Sequence, residues 1–156
     1  MPRKRKKLKE KNTNQLPNQS LKINPSENKL LERLSNLTRG LFYISETDAE
    51  IMPFIGDKTP CLTQAEILRQ TKSAAGAPVA ELNFTDFFSR LTEMQDWYGE
   101  EEKEIAQKFA RLKVFLEQNL KDLKVLKVGR IKLDVYIVGL DDKDQLAGIK
   151  TKAVET

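Results

Sequence analysis

Leu30, Leu34, Leu37 and Leu41 return at three- or four-residue spacing, which places them on one face of a helix from about Ser26 to Arg39. Ser26 is a candidate N-cap, and Gly40 stands where a helix stop is expected. The period then shortens. Leu41–Ile44 is an apolar run suited to a buried strand, and Met52–Ile55 is a weaker strand candidate, cut by Pro53 and ended by Gly56-Asp57. Thr63 with Glu66 forms a capping-box pattern ahead of Ile67 and Leu68, which predicts a short helix over about 63–71. Residues 72–78, with Gly76 and Pro78, read as a loop. Asn83 then caps a helical turn whose Phe84, Phe87, Phe88 and Leu91 share one face and read as core.

The second half is more regular. Ile105, Phe109, Leu112, Leu116 and Leu120 make the stripe of a long helix from about Glu100 to Leu120. Acids crowd its N-terminus, where the helix dipole favours them. Lys124–Val128 and Arg130–Val138 read as strands, and in the second Ile131, Leu133, Val135 and Ile137 alternate with more polar residues. A turn over Gly139–Asp144 leads to a third strand, Leu146–Ala153, returning antiparallel. Helices enclosing a mixed, mostly C-terminal sheet give a single layered α/β domain over residues 26–156.

Charge changes this picture at one end. The net +4 of the chain is unevenly placed. Residues 1–25 hold eight Lys/Arg, including Arg3, Lys4, Arg5, Lys6 and Lys7, against Glu10 alone, whereas residues 26–156 carry three more acids than bases. The first segment has too few apolar groups to offset the entropy of ordering, so a disordered basic tail is expected. Arg3–Lys7 could neutralise phosphates, but the tail has no aromatic residue for base stacking, so any nucleic-acid binding through it would be non-specific. Cys61 stands alone and cannot form an internal disulfide; it reads as a small packing residue in a reducing compartment. No stretch reaches the roughly 20 apolar residues of a membrane span, and no apolar segment follows the basic start, so a cytoplasmic protein off the membrane is expected.

Candidate chemistry is sparse. Histidine is absent, which removes the commonest general base and metal ligand, and one cysteine excludes zinc sites of the Cys/His type. There is no Gly-rich phosphate loop or serine elbow. Asp141-Asp142-Lys143-Asp144 lacks the glycine and distal glutamate of an EF-hand and reads as a solvated hairpin turn. A non-enzyme without a cofactor is expected. What remains is a constellation for a partner: six acids between Glu93 and Glu104, with Trp97 and Tyr98 among them. Acidic charge beside exposed aromatic groups suits docking onto a basic protein cleft. On composition alone, a charged helix start with a core tryptophan is the better account.

A resemblance shifts that balance. Gly40-Leu41-Phe42-Tyr43-Ile44-Ser45-Glu46, Asp86-Phe87-Phe88-Ser89-Arg90, Gln95-Asp96-Trp97-Tyr98, Asp134–Gly139 and the ending Leu146–Thr156 together resemble the nuclease A inhibitor family. The likeness covers about residue 27 to the last residue, and its final block is the most specific. It implies a three-layer α/β/α sandwich and inhibition of a magnesium-dependent nuclease that attacks both DNA and RNA; the chain itself is expected to be a monomer when free. It further implies that Thr156 reaches the nuclease's catalytic magnesium, that Glu46 pairs with a basic residue of the nuclease cleft, and that Trp97 is the aromatic anchor. Asp96, Tyr98 and Glu155 flank these positions and join the expected partner-binding set.

Two departures from the family pattern stand out. The segment Thr47–Phe54 after Ser45-Glu46 is altered, and the basic tail lies outside the resemblance. Two other classes therefore stay open. One is a nucleic-acid-associated protein acting through its tail; the other is an interaction module with a changed protein target.

Overall fold

The computed structural model describes residues 25–156, and side chains from residue 29 onward. The expected disordered segment, with Arg3–Lys7, lies outside the described residues. Helix α1 (Pro25–Thr38) buries Leu34 and ends in a turn at Gly40, whose φ of 71° is left-handed backbone that glycine adopts without cost. Leu41 is buried, but the run after it is not the buried strand expected. Strand β1 (Phe42–Ile44) pairs antiparallel with β2 (Asp48–Glu50) in a two-stranded sheet of its own. So short a hairpin covers one face, and Phe42 and Ile44 lie on the other.

The main sheet has five strands in the order β3-β7-β6-β5-β4. These are β3 (Met52–Lys58), β4 (Val79–Leu82), β5 (Lys121–Gly129), β6 (Lys132–Leu140) and β7 (Gln145–Val154). Every pairing is antiparallel, where a mixed sheet was expected. Short hairpin connections between β5, β6 and β7 force that direction, since parallel neighbours need long crossovers. At the edge, β3 tolerates Pro53, and Gly56-Asp57 does not end the strand but falls in a register shift between Ile55 and Lys58. The other edge strand, β4, was not foreseen.

Both faces of the centre are buried, so the one-sided alternation expected of β6 is incomplete. Leu126, Val128, Tyr136, Val138, Leu140 and Leu146 cluster with Leu62 and with Ile67 of α2 (Gln64–Gln70). The alternate set of Val125, Val135, Ile137 and Ile149 is equally enclosed, whereas Ile131 sits exposed beside the β5–β6 turn. Gly148, at φ 155°, lets β7 lie close against β6: a Cβ there would collide with the Ile137 carbonyl.

Ser26, the expected cap of α1, lies inside that helix, which begins at Pro25, but two other caps are where sequence places them. Thr63 Oγ accepts the Glu66 N–H at 3.1 Å, and Asn83 Oδ1 accepts the Asp86 N–H at 2.9 Å to start α3 (Phe84–Thr92). The Glu66 carboxylate, however, turns to Arg69 and Gln70 rather than closing a capping box, and the Arg69 hydrogen bond leads in lowering its pKa to about 2. Helix α3 packs on α4 (Glu100–Asn119) and reaches β5. Burial in α4 begins at Ala106; residues 100–105, Ile105 included, overhang the core and are exposed.

Two smaller expectations are overturned. Cys61 is exposed rather than packed. Asp141 is buried, not solvated, because its Oδ1 accepts the N–H groups of Lys143 and Gln145 at 2.8 and 2.9 Å and so builds the β6–β7 turn.

Candidate partner-binding site

The β1–β2 connection is pinned to the end of β7. Ser45 N–H donates to the Thr47 carbonyl at 2.9 Å, which tightens the turn. Glu46 N–H donates to the Val154 carbonyl at 3.2 Å, and Val154 N–H donates to Ser45 Oγ at 3.0 Å. One step back along β7, Thr151 Oγ1 donates to the Glu50 carbonyl at 3.0 Å. The segment Thr47–Phe54 thus forms β2 and the first residues of β3, and Glu46 is held against the end of the final strand.

Thr156 is then held by a side chain 110 residues away. Its N–H donates to Glu46 Oε2 at 2.7 Å, and its hydroxyl lies 3.0 and 2.9 Å from the two carboxylate oxygens. The Thr156 amide, and after it the Thr156 hydroxyl, hold the Glu46 pKa below its ordinary 4.5. Glu155 is fixed separately: its N–H donates to the Ile131 carbonyl at 2.9 Å, and its carboxylate meets Lys127 Nζ at 2.6 Å. Burial lowers the Lys127 pKa, but the Glu155 carboxylate and nearby Tyr43 outweigh it and leave that pKa raised.

The second group lies between α3 and α4. Trp97 is 74% exposed and stands edge-on to Tyr98, ring centroids 4.7 Å apart. Asp96 is exposed, Tyr98 half-buried. The loop is tied by the Tyr98 N–H to the Gln95 carbonyl at 3.0 Å and by the Gly99 N–H to Glu102 Oε1 at 3.0 Å. A tryptophan completing the core is therefore excluded. Six acids of the surrounding segment (Glu93, Asp96, Glu100, Glu101, Glu102, Glu104) are likewise exposed.

The structure thus brings Glu46, Glu155 and Thr156 into one cluster, and Asp96, Trp97 and Tyr98 into another. Among the described residues no hydrogen bond joins the two. A packing route does lead from one toward the other: Tyr43, three residues before Glu46, stacks on Phe87 of α3 at 5.7 Å, and α3 runs on into the Trp97 loop.

A family model matches the folded part of the chain. It is the model described as nuclease A inhibitor-like protein, and it covers residues 28–156. The chain belongs to the nuclease A inhibitor-like family. None of the curated proteins matches the chain. Family membership makes a nuclease the general partner and suggests inhibition rather than catalysis as the role. Among the described residues no three of Cys, Asp and Glu are grouped to hold a metal ion, and no helix is long and apolar enough to cross a membrane.

Sequence reasoning missed two residues that hold this candidate site together. Ser45 was seen only as part of a motif, yet its hydroxyl locks the turn to β7. Lys127 carried no signal, because its link to Glu155 exists only once β5, β6 and β7 are in register.

Proposed function

We propose that the chain inhibits a metal-dependent nuclease acting on both DNA and RNA, and that it does so by seating Thr156 in the enzyme's active site. The observation that carries this reading is the Glu46–Thr156 clasp. A final residue ordinarily frays, and ordering it on binding costs free energy. Here that ordering is already achieved. The threonine hydroxyl has one proton and two lone pairs; with the proton given to Glu46, its lone pairs point away from the donor bond and remain free. Oxygen ligands are what magnesium takes, so Thr156 would complete the coordination of the nuclease's own ion in place of a scissile phosphate oxygen. Glu46 keeps lone pairs beyond those used by Thr156, so its carboxylate can still accept a basic side chain of the cleft.

Trp97 fits the anchor of such an interface, being a large exposed aromatic ringed by acids that complement a basic cleft. The test is stoichiometric titration of nuclease A activity with the wild-type chain and with the chain lacking Thr156. Inhibition at one-to-one ratio that collapses on the deletion is expected; unchanged inhibition after the deletion would sink the plug.

A further inference from the structure

The β1–β2 hairpin has an outer face that the Glu46–Thr156 clasp does not use. In its antiparallel register Phe42 lies opposite Glu50, Ile44 opposite Asp48, and Tyr43 opposite Ala49. Directly opposed residues project to the same face, and successive residues to opposite faces. Tyr43 and Ala49 therefore form the covered face, with Tyr43 stacked on Phe87. The other face is a row of two apolar side chains, Phe42 at 43% and Ile44 at 65% exposed, flanked across the strand by the exposed carboxylates of Asp48 and Glu50. Among the described residues nothing accounts for an isoleucine two-thirds in water beside an exposed phenylalanine. Beyond Glu50 lies a separate cleft of about 380 Å³, lined also by Ala49, the half-exposed Met52, Lys150 and Lys152, and not by Phe42 or Ile44.

We infer that this hairpin face is a second docking surface for the nuclease, in which Phe42 and Ile44 meet apolar groups of the enzyme while Asp48 and Glu50 meet its basic rim. The inference rests on reading the chain as a nuclease inhibitor, and two features assign the surface to that partner. Glu46 sits in the turn of the same hairpin, two residues from Ile44 and two from Asp48, so a protein that engages Glu46 and Thr156 reaches the hairpin as well. Its charge is of the same sign as that of the Trp97 segment, so one basic partner complements both. Apolar contacts ringed by opposite charge slow dissociation through the former and speed encounter through the latter.

The experiment is surface plasmon resonance and inhibition titration of purified nuclease A against the full chain. Three variants enter: Phe42→Asn with Ile44→Lys, Asp48→Lys with Glu50→Lys, and deletion of Thr156. All four substituted side chains are exposed, and an unchanged thermal midpoint checks the fold. The Phe42/Ile44 variant is expected to dissociate at least about tenfold faster, the loss of two apolar contacts in a well-packed interface. The Asp48/Glu50 variant is expected to associate severalfold more slowly, with a weaker salt dependence. Wild-type rates in both hairpin variants, beside a crippled Thr156 deletion, overturn the hairpin surface and leave the plug standing. Hairpin variants that lose affinity beside an intact deletion variant overturn the plug and keep the hairpin. A wild-type chain that does not bind nuclease A overturns both.

Discussion

The Glu46–Thr156 clasp and the Trp97 loop solve the same problem in opposite ways. At the clasp, two hydrogen bonds fix the β1–β2 turn on β7, and a carboxylate then holds the final residue by two of its atoms. At the loop, two hydrogen bonds set the backbone, and the tryptophan stands in solvent with Tyr98 as its aromatic neighbour. The clasp invests in position, the loop in accessible area. Position matters where one oxygen must meet one ion; area matters where an anchor has only to fill a pocket.

Deleting Thr156 tests the first half most severely. A centrally placed contact is worth at least about 3 kcal/mol, so inhibition of nuclease A should weaken by more than about a hundredfold. Circular dichroism should show an unchanged fold, since the residue covers no core. Trp97→Ala comes next, with a loss of about 2 kcal/mol in binding, roughly thirtyfold in Kd. Because the side chain is exposed, its thermal midpoint should match wild type; a destabilised protein would mean that the loop shapes the fold after all. Glu46→Gln keeps an acceptor for Thr156 but removes its charge, and charge-assisted hydrogen bonds are about twice as strong as neutral ones. A loss of about 1 kcal/mol, some fivefold, is expected in calorimetry, together with faster motion of the Thr156 amide in ¹⁵N relaxation. Asp96→Asn should do least. As a rim charge it should slow association about twofold at low salt and leave dissociation unchanged.

Acid separates the two regions without mutation. The folded pKa of Glu46 lies below 4.5, so the clasp is at full strength above that value and is released as pH falls through the folded pKa. The Thr156 amide resonance should therefore hold still from neutral pH down to about 4.5 and shift only below it. The Trp97 indole resonance should not follow the same curve. A shared midpoint would show the two regions to be one coupled unit.

The helices were legible because their signals are local. Thr63 and Asn83 announce their caps, and the Phe109–Leu112–Leu116 stripe needs no knowledge of the rest of the chain. The central strands were legible from apolar content, though their two-sided burial was not. Edge elements were not legible. Asp48–Glu50 is wholly polar at its ends and Val79–Leu82 has only Val79 packed, so each is a strand because of its neighbour's register rather than its own pattern. The same holds for the site. Nothing in spacing links Glu46 to Thr156 across 110 residues. The family resemblance put both on one partner-facing surface but did not foresee the bond between them; it also placed Trp97 at the interface, where composition by itself assigned it to the core.

The order β3-β7-β6-β5-β4 puts β7 inside the sheet, flanked by β3 and β6. Hydrogen exchange in such a strand proceeds through the rarest openings, while β4 at the edge can breathe without disturbing it. That protection covers Gln145–Lys150; Thr151–Val154 pair in the sheet with β6 alone and are covered on their other side by the β1–β2 hairpin. The clasp hangs on that hairpin and should loosen with it before the five-stranded sheet opens, so that inhibition should fail at a lower temperature than global stability.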